Sequence, residues 1–238
     1  MKFNLFVNYF KDNNEKRNSE LLFCVVENIK NNLFTNVVII SNAIDYDYLK
    51  KEIDKLEPVV KESKLFRIKQ KHLSEKIVPV FSIERPTYNE YFKLMSDMYP
   101  SEDNINIIAN LDIIIPEETL QKCVEYMNPM TCLALCRYDI KSNRANYKVN
   151  PMFLNSWDSQ DTWIFNGAVK QAEHADFTCG VAGCDNKIAH LLEQTGYNVI
   201  NPSITLKTYH YHTSNIRNYG TEDHQRLQPP YKLMTPTE

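Results

Sequence analysis

The sequence predicts a single α/β domain in which a mixed, mostly parallel sheet is flanked by helices. Three observations carry that prediction. The first forty residues read strand, helix, strand, the order of a parallel βαβ unit. Two runs, residues 37–40 and 105–115, are apolar enough for strands buried on both faces. Stretches of helical periodicity fall between the strand runs, and no repeat, linker or low-complexity segment interrupts them. The chain has 238 residues, 43% hydrophobic and 24% charged, which suits an ordinary globular domain. A net charge of −3 argues against a dedicated nucleic-acid binder. No apolar run approaches the ~18 residues of a membrane span. The opening segment, MKFNLFVNYFKDNN, reads as a first strand and not as an export signal. Six cysteines without a dense framework are then expected to be reduced thiols of a cytoplasmic protein.

Taken in order, residues 3–10 form a β-type run, and residues 11–18 are polar and loop-like. Leu22, Val25, Val26, Ile29 and Leu33 recur at helical spacing, with Asn18 or Ser19 as N-cap. Residues 37–40 make the second strand, residues 45–56 a helix, and residues 64–69 and 77–81 further strands. Pro86 opens a helix at its first position, with Tyr88, Tyr91, Phe92 and Met95 inward. Residues 105–115, INIIANLDIII, give the strongest strand signal. Pro116 ends that strand and starts a helix with Glu117 and Glu118 in its first turn, where the helix dipole favours them. Residues 131–137 are another strand, 144–156 are irregular, and 157–165 return to strand character. Gly180 and Gly183 make a loop, Asp185 stands where a helix begins, and Gly196 ends that helix. Residues 199–200 and 205–212 read as strands, and 213–238 as a polar tail packed on the domain.

Four stretches carry possible chemistry. Asn110 and Asp112 break an apolar strand on one face. Polar groups there are costly unless paired or used, and two oxygens on one face can hold a hard divalent cation. The alternative is a carboxylate that caps a strand bend. The loop from Gly180 to Gly183 lets backbone approach a ligand near a helix N-terminus. Asp185 beside it is either a general base or an ordinary N-cap. His210 and His212 share a face of an extended segment and are metal-ligand candidates. Joined with Cys179 and Cys184 they would instead make a structural zinc site. Trp157 and Trp163 flank Asp158, Gln160 and Asp161, an aromatic and carboxylate mixture suited to a sugar, with Trp163 expected in the core.

Taken together, the four stretches resemble the GT-A glycosyltransferases, a family with one Rossmann-like domain, a nucleotide-sugar donor and usually a divalent metal. Asn110-Leu111-Asp112 stands where the family has Asp-x-Asp, residues 180–183 match its glycine loop, Cys184-Asp185 match its acidic pair, and His210 or His212 its C-terminal histidine. The segments SQDTWIFNG, GCDNKIA and NPSITLKTYHYH are similar to small transferases of this type. The resemblance covers most of residues 1–215. It implies that Asp112, with His212 or His210, holds Mn²⁺ or Mg²⁺ on the donor diphosphate. Asn110 would be a weaker ligand or a sugar contact, and Asp185 the base of an inverting transfer to a hydroxyl acceptor on a glycan. Asp161 would be the alternative base or a sugar-hydroxyl contact. Asn8, Tyr9 and Phe10 would face the base of the nucleotide, a UDP-sugar ahead of a GDP-sugar, and Arg17 and Arg85 would contact phosphate or base. Asn110 and Cys184 replace acids of the family pattern, which leaves a noncatalytic nucleotide-sugar or glycan-binding domain as the alternative. A nucleotidyltransferase ranks below both, because residues 7–18 lack the glycine-rich loop of that class.

Overall fold

A computed structural model describes residues 1–61, 73–140, 149–152, 157–214, 216 and 226–238. The elements are β1 (Lys2–Asn8), α1 (Glu15–Lys30), β2 (Phe34–Ser41), α2 (Ala43–Lys61), β3 (Ile77–Phe81), α3 (Tyr88–Met98), β4 (Asn104–Ala109), β5 (Ile113–Ile114), α4 (Glu117–Cys123), β6 (Thr131–Leu135), β7 (Arg137–Ile140), β8 (Val149–Met152), β9 (Thr162–Asn166), α5 (Cys184–Gln194), β10 (Asn198–Ile200) and β11 (Thr208–His210). A main sheet runs in the order β10-β6-β9-β4-β1-β2-β3, and a smaller one in the order β5-β11-β7-β8. Among the described strands of the main sheet, only β9 is antiparallel to its neighbours, β4 and β6. The α/β architecture with a mostly parallel sheet is therefore as the sequence predicts.

Strand alternation explains the two helical layers. Leu5, Val7, Val37, Ile39, Ile105 and Ile107 face one side, against Leu21, Val25 and Ile29 of α1 and Leu49 and Ile53 of α2. Phe6, Val38, Ile40, Ile108 and Phe165 face the other, against Phe92 and Met95 of α3 and Ile188 and Leu192 of α5. Trp163 lies in this second layer, edge-on to Tyr88, and is a core anchor as expected. No helix among the described residues is long and apolar enough to cross a membrane.

Several boundaries differ from the sequence reading, each for a local reason. Helix α1 starts four residues early, because the Asn14 side chain caps it by accepting from the backbone N–H of Lys16 and Arg17. Arg17 therefore sits in a first helical turn and not in a loop. Helix α3 is capped by Thr87 in a full capping box with Glu90, so Pro86 lies just outside it. Thr87→Ala should cost about 1 kcal/mol in urea unfolding. The run over 105–115 is not one strand. It breaks after Ala109, where the Ile113 N–H donates to the Asn110 carbonyl across a turn, and Ile113–Ile114 join the smaller sheet. Strand β9 covers only the end of the predicted 157–165 run, and Trp157 lies outside it, 43% exposed. Asp185 is not the cap of α5; it is the second helical residue. Gly183 holds the cap position with φ of 82°, in the left-handed region that glycine tolerates. Gly196, with φ of 96°, follows the last turn as expected. Strand β11 is confined to Thr208–His210, so His212 lies past its end. Val149–Met152 form β8 inside the stretch read as irregular, and the predicted strand at 64–69 lies outside the described residues.

The last residues run along α5 and its approach. The N–H groups of Leu227, Lys232, Met234 and Thr237 donate to the carbonyls of Ala182, Asn186, Trp157 and Asn201.

Candidate active site

The chain leaves β1 to enter α1 on one face of the sheet, and reaches β4 from α3 on the other face. Strands β1 and β4 are parallel neighbours, so the segments that follow them emerge side by side at the carboxyl edge of the sheet, where open α/β folds bind ligands. Arg17 and Asp112 meet at that edge. The Arg17 Nη2 donates to Asp112 Oδ2 at 2.5 Å, with side chains 11% and 14% exposed. The break in the β4–β5 run is what aims Asp112 there. The backbone is held by Tyr211 N–H donating to the Asp112 carbonyl, which brings the segment after β11 alongside.

That segment supplies both histidines. His210 Nε2 lies 3.2 Å from Asp112 Oδ2, and its Nδ1 lies 2.8 Å from Asp139 Oδ1. The His210 and His212 rings are 5.6 Å apart. Ligand atoms of Asp112, His210 and His212 all lie within 4.8 Å of one another. One carboxylate and two imidazoles are a sound donor set for a divalent transition ion. Adjacent ligands about 2.1 Å from an ion sit about 3 Å apart, close to the Asp112–His210 spacing. The residues fit such an ion.

The charges in this cluster are mutually set. Burial alone would raise the Asp112 carboxyl, but the hydrogen bond from His210, with the His210 and Arg17 charges, holds it far below the usual range. Burial alone would lower His210, but its bonds to Asp112 and Asp139 push it up to about 9. His212 is shifted down, by burial and then by the Arg17 and His210 charges. Its Nε2 is 2.8 Å from the Ile216 carbonyl.

A second cluster adjoins the first through Arg137. Its Nη1 donates to both oxygens of Asp161, at 3.0 and 2.9 Å, and its Nε to Asp139 at 3.3 Å. Asn110, read as a weaker metal ligand or sugar contact, instead donates from Nδ2 to Asp161 Oδ1 at 2.7 Å. Asp161 is buried and engaged on both oxygens. Asp185 lies beyond it, accepting from the Gln160 N–H and from the Cys184 thiol. Burial first, and then the Asp161 charge, push the Asp185 carboxyl up to about 7. That is the range of a general base working near neutral pH.

Of the remaining predicted residues, Asn8, Tyr9, Phe10 and Arg85 line a cleft of about 190 Å³ with Asp45 and Ser82, among others, and Tyr9 is also buried in the first core layer. Arg85 lies over the Phe10 ring and donates from Nη1 to the Cys179 carbonyl. A Cβ on Gly180 would come 3.2 Å from that same Nη1, and one on Gly183 3.1 Å from the Tyr231 hydroxyl. Both glycines thus admit a side chain against the loop. Cys179 and Cys184 stay apart from the histidines and pack in the second core layer, where burial pushes the Cys179 thiol up to about 12. Among the described residues they join no group of metal-ligating side chains.

Sequence reasoning missed three residues of these clusters. Arg137 and Asp139 share a face in the alternation Arg-Tyr-Asp-Ile, a signal that was available. Glu20 stands three residues after Arg17, the spacing of helical neighbours. Burial opposes its ionisation, but bonds from Thr213, Ser214 and Arg17 outweigh that and lower its carboxyl.

No protein-family model and no curated protein matches the chain. The structure is similar to a mannosyltransferase from Pyrobaculum calidifontis in complex with GDP-Man and Mn²⁺, with a TM-score of 0.52 and 15% identity over 90% of this chain and 58% of that one. The chain therefore spans under two thirds of that protein's length. Also similar are a putative glucose-1-phosphate thymidylyltransferase from Bacillus anthracis (TM-score 0.46, 8% identity, 84% of this chain and 86% of that one) and a 4-diphosphocytidyl-2C-methyl-D-erythritol synthase from Anaerococcus prevotii (TM-score 0.46, 10% identity, 90% and 91%). By its sheet order and this likeness, the chain has a Rossmann-like α/β fold of the GT-A kind.

Proposed function

We propose that the chain is a single-domain, metal-dependent glycosyltransferase that moves a sugar from a nucleotide-diphosphate-sugar donor to a hydroxyl acceptor on a glycan or similar molecule. The observation that carries this reading is the Asp112, His210 and His212 cluster at the carboxyl edge of a GT-A-type sheet, beside a cleft. These three residues would hold Mn²⁺ or Mg²⁺, which when bound supplies positive charge to the leaving diphosphate. Asn8 and Phe10 would face the nucleotide base, with Tyr9 packed behind them in the core, and Arg85, anchored on the Cys179 carbonyl beside the glycine loop, would contact the phosphates. Asp185 takes the proton of the acceptor hydroxyl as it attacks the sugar, in an inverting displacement. Asp161, fixed by Arg137 and Asn110, acts best as a hydroxyl acceptor that orients the sugar.

A melting-temperature screen with UDP and GDP, each with and without Mn²⁺, tests the reading. A ligand that binds only the folded state raises the melting temperature by mass action. One of the two should do so, and more with the metal than without. No shift with either nucleotide, metal present, would sink the proposal. The fold-similar mannosyltransferase is complexed with GDP-Man, so GDP belongs in the screen beside the UDP that the sequence reading favoured.

Asp139 offers a second check. A carboxylate that accepts from the far nitrogen of a ligating histidine fixes its tautomer and direction. Asp139→Asn should weaken Mn²⁺ binding by about 10–100-fold in a titration followed by electron paramagnetic resonance. A noncatalytic binding domain is favoured by one observation only: Asn110 and Asp161 are satisfied by each other and by Arg137. Nucleotide-sugar binding with neither donor hydrolysis nor transfer would support it.

A further inference from the structure

Asp112 presents the same oxygen, Oδ2, to Arg17 at 2.5 Å and to His210 at 3.2 Å. An ion held by that oxygen would need the space the guanidinium fills. Arg17 and the ion are both cations, and the pair they compete for is largely shielded from water, so their repulsion is weakly screened. Arg17 has a second anchor. Its Nη1 lies 3.3 Å from Glu20 Oε2. Glu20 is in turn held by the backbone N–H and hydroxyl groups of Thr213 and Ser214, directly after His212. Arg17 can leave Asp112 while keeping Glu20, and so stay beside the cluster. A guanidinium fork matches two phosphate oxygens well.

Resting on the metal-dependent reading above, we infer that Arg17 is the cation that occupies Asp112 until a donor diphosphate draws it away, so that nucleotide and metal enter the site together. Arg17 thereby couples two ligands. The diphosphate takes the guanidinium, Asp112 is freed, and the ion finds its carboxylate. By linkage, each ligand must tighten the other by the same factor.

The test is Mn²⁺ binding, read from the resonance of the free ion, without nucleotide and with saturating UDP or GDP. Wild type is compared with Arg17→Met and Arg17→Gln; the glutamine keeps a donor for Glu20 should the methionine variant fold poorly. Without nucleotide, the variants should bind Mn²⁺ on the order of tenfold more tightly than wild type, and the nucleotide should then enhance Mn²⁺ binding by a correspondingly smaller factor. Mn²⁺ binding that is unchanged or weaker in the variants, with wild type binding the ion, would overturn the role of Arg17 and leave the metal site standing. Tighter binding with undiminished nucleotide enhancement would overturn the coupling of the two ligands through Arg17. If neither wild type nor variants bind Mn²⁺ under any condition, the metal site and this inference fall together.

Discussion

Asp185→Asn is expected to lower sugar transfer by about 10²–10⁴-fold, the usual contribution of a positioned general base. Donor affinity should change little, because Asp185 is neither among the residues that line the cleft at Asn8–Phe10 nor one of the Asp112, His210 and His212 group. A fall in kcat without a matching rise in donor dissociation is the signature of a group used only in the transition state. In wild type, kcat/KM should rise with pH through about 7, where burial and the Asp161 charge place the Asp185 carboxyl. The same carboxyl should oppose folding at higher pH. Its folded value lies above the ordinary one of 3.8, so between 3.8 and about 7 the folded state holds a proton that the unfolded state has released. Stability then falls as pH rises through that window. Asp185→Asn should therefore melt higher than wild type at pH 8 and alike at pH 3. A variant that keeps full transfer would move the base elsewhere, with Asp161 next to be tested.

The fold was legible because its main strands are buried on both faces and its helices carry one apolar stripe. Both patterns survive in a single sequence. What was not legible arose where a local choice was settled by a distant partner. Residues 105–115 are apolar almost throughout, and nothing in them says that the chain turns at Asn110. The turn is fixed by the Asp161 carbonyl and carboxylate and by Tyr211, all far away in sequence. The start of α1 at Asn14 and not Asn18 was a contest between two good caps. It went to Asn14, while Asn18 turned inward to the Tyr48 hydroxyl. At the site, Asp112, His210, His212 and Asp185 stood out as polar residues at strand or helix ends. Arg137, Asp139 and Glu20 did not, because their meaning is the ion pairs they make across the fold. Asn110 was singled out correctly as unusual, yet its partner proved to be Asp161 and not the histidine cluster.

Asp112→Asn is expected to abolish the Mn²⁺-dependent gain in nucleotide affinity. The amide keeps the size and one acceptor oxygen of the carboxylate but removes the only carboxylate in the Asp112, His210 and His212 group. It also leaves Arg17 and His210 facing each other without the anion between them. Removing one partner of a buried pair costs about 3–5 kcal/mol, and the wild-type contact is largely buried. The loss has a pH dependence of known sign. The Asp112 carboxyl is depressed in the fold, so its stabilisation is present above its ordinary value of 3.8 and is lost as pH falls below that. His210 is raised, so its stabilisation is complete below 6.5 and is lost as pH rises through about 9. The gap in stability between metal-free wild type and Asp112→Asn should be widest between these limits, closing as pH falls and narrowing as pH rises, where the Arg17 pair persists. In the variant the His210 titration, followed by the proton resonances of its ring, should move down from about 9, since its hydrogen bond to Asp112 is the largest of the influences that raise it. Retention of the full Mn²⁺ enhancement in Asp112→Asn would remove Asp112 from the metal site, and an unmoved His210 titration would show that Asp139 alone sets its charge.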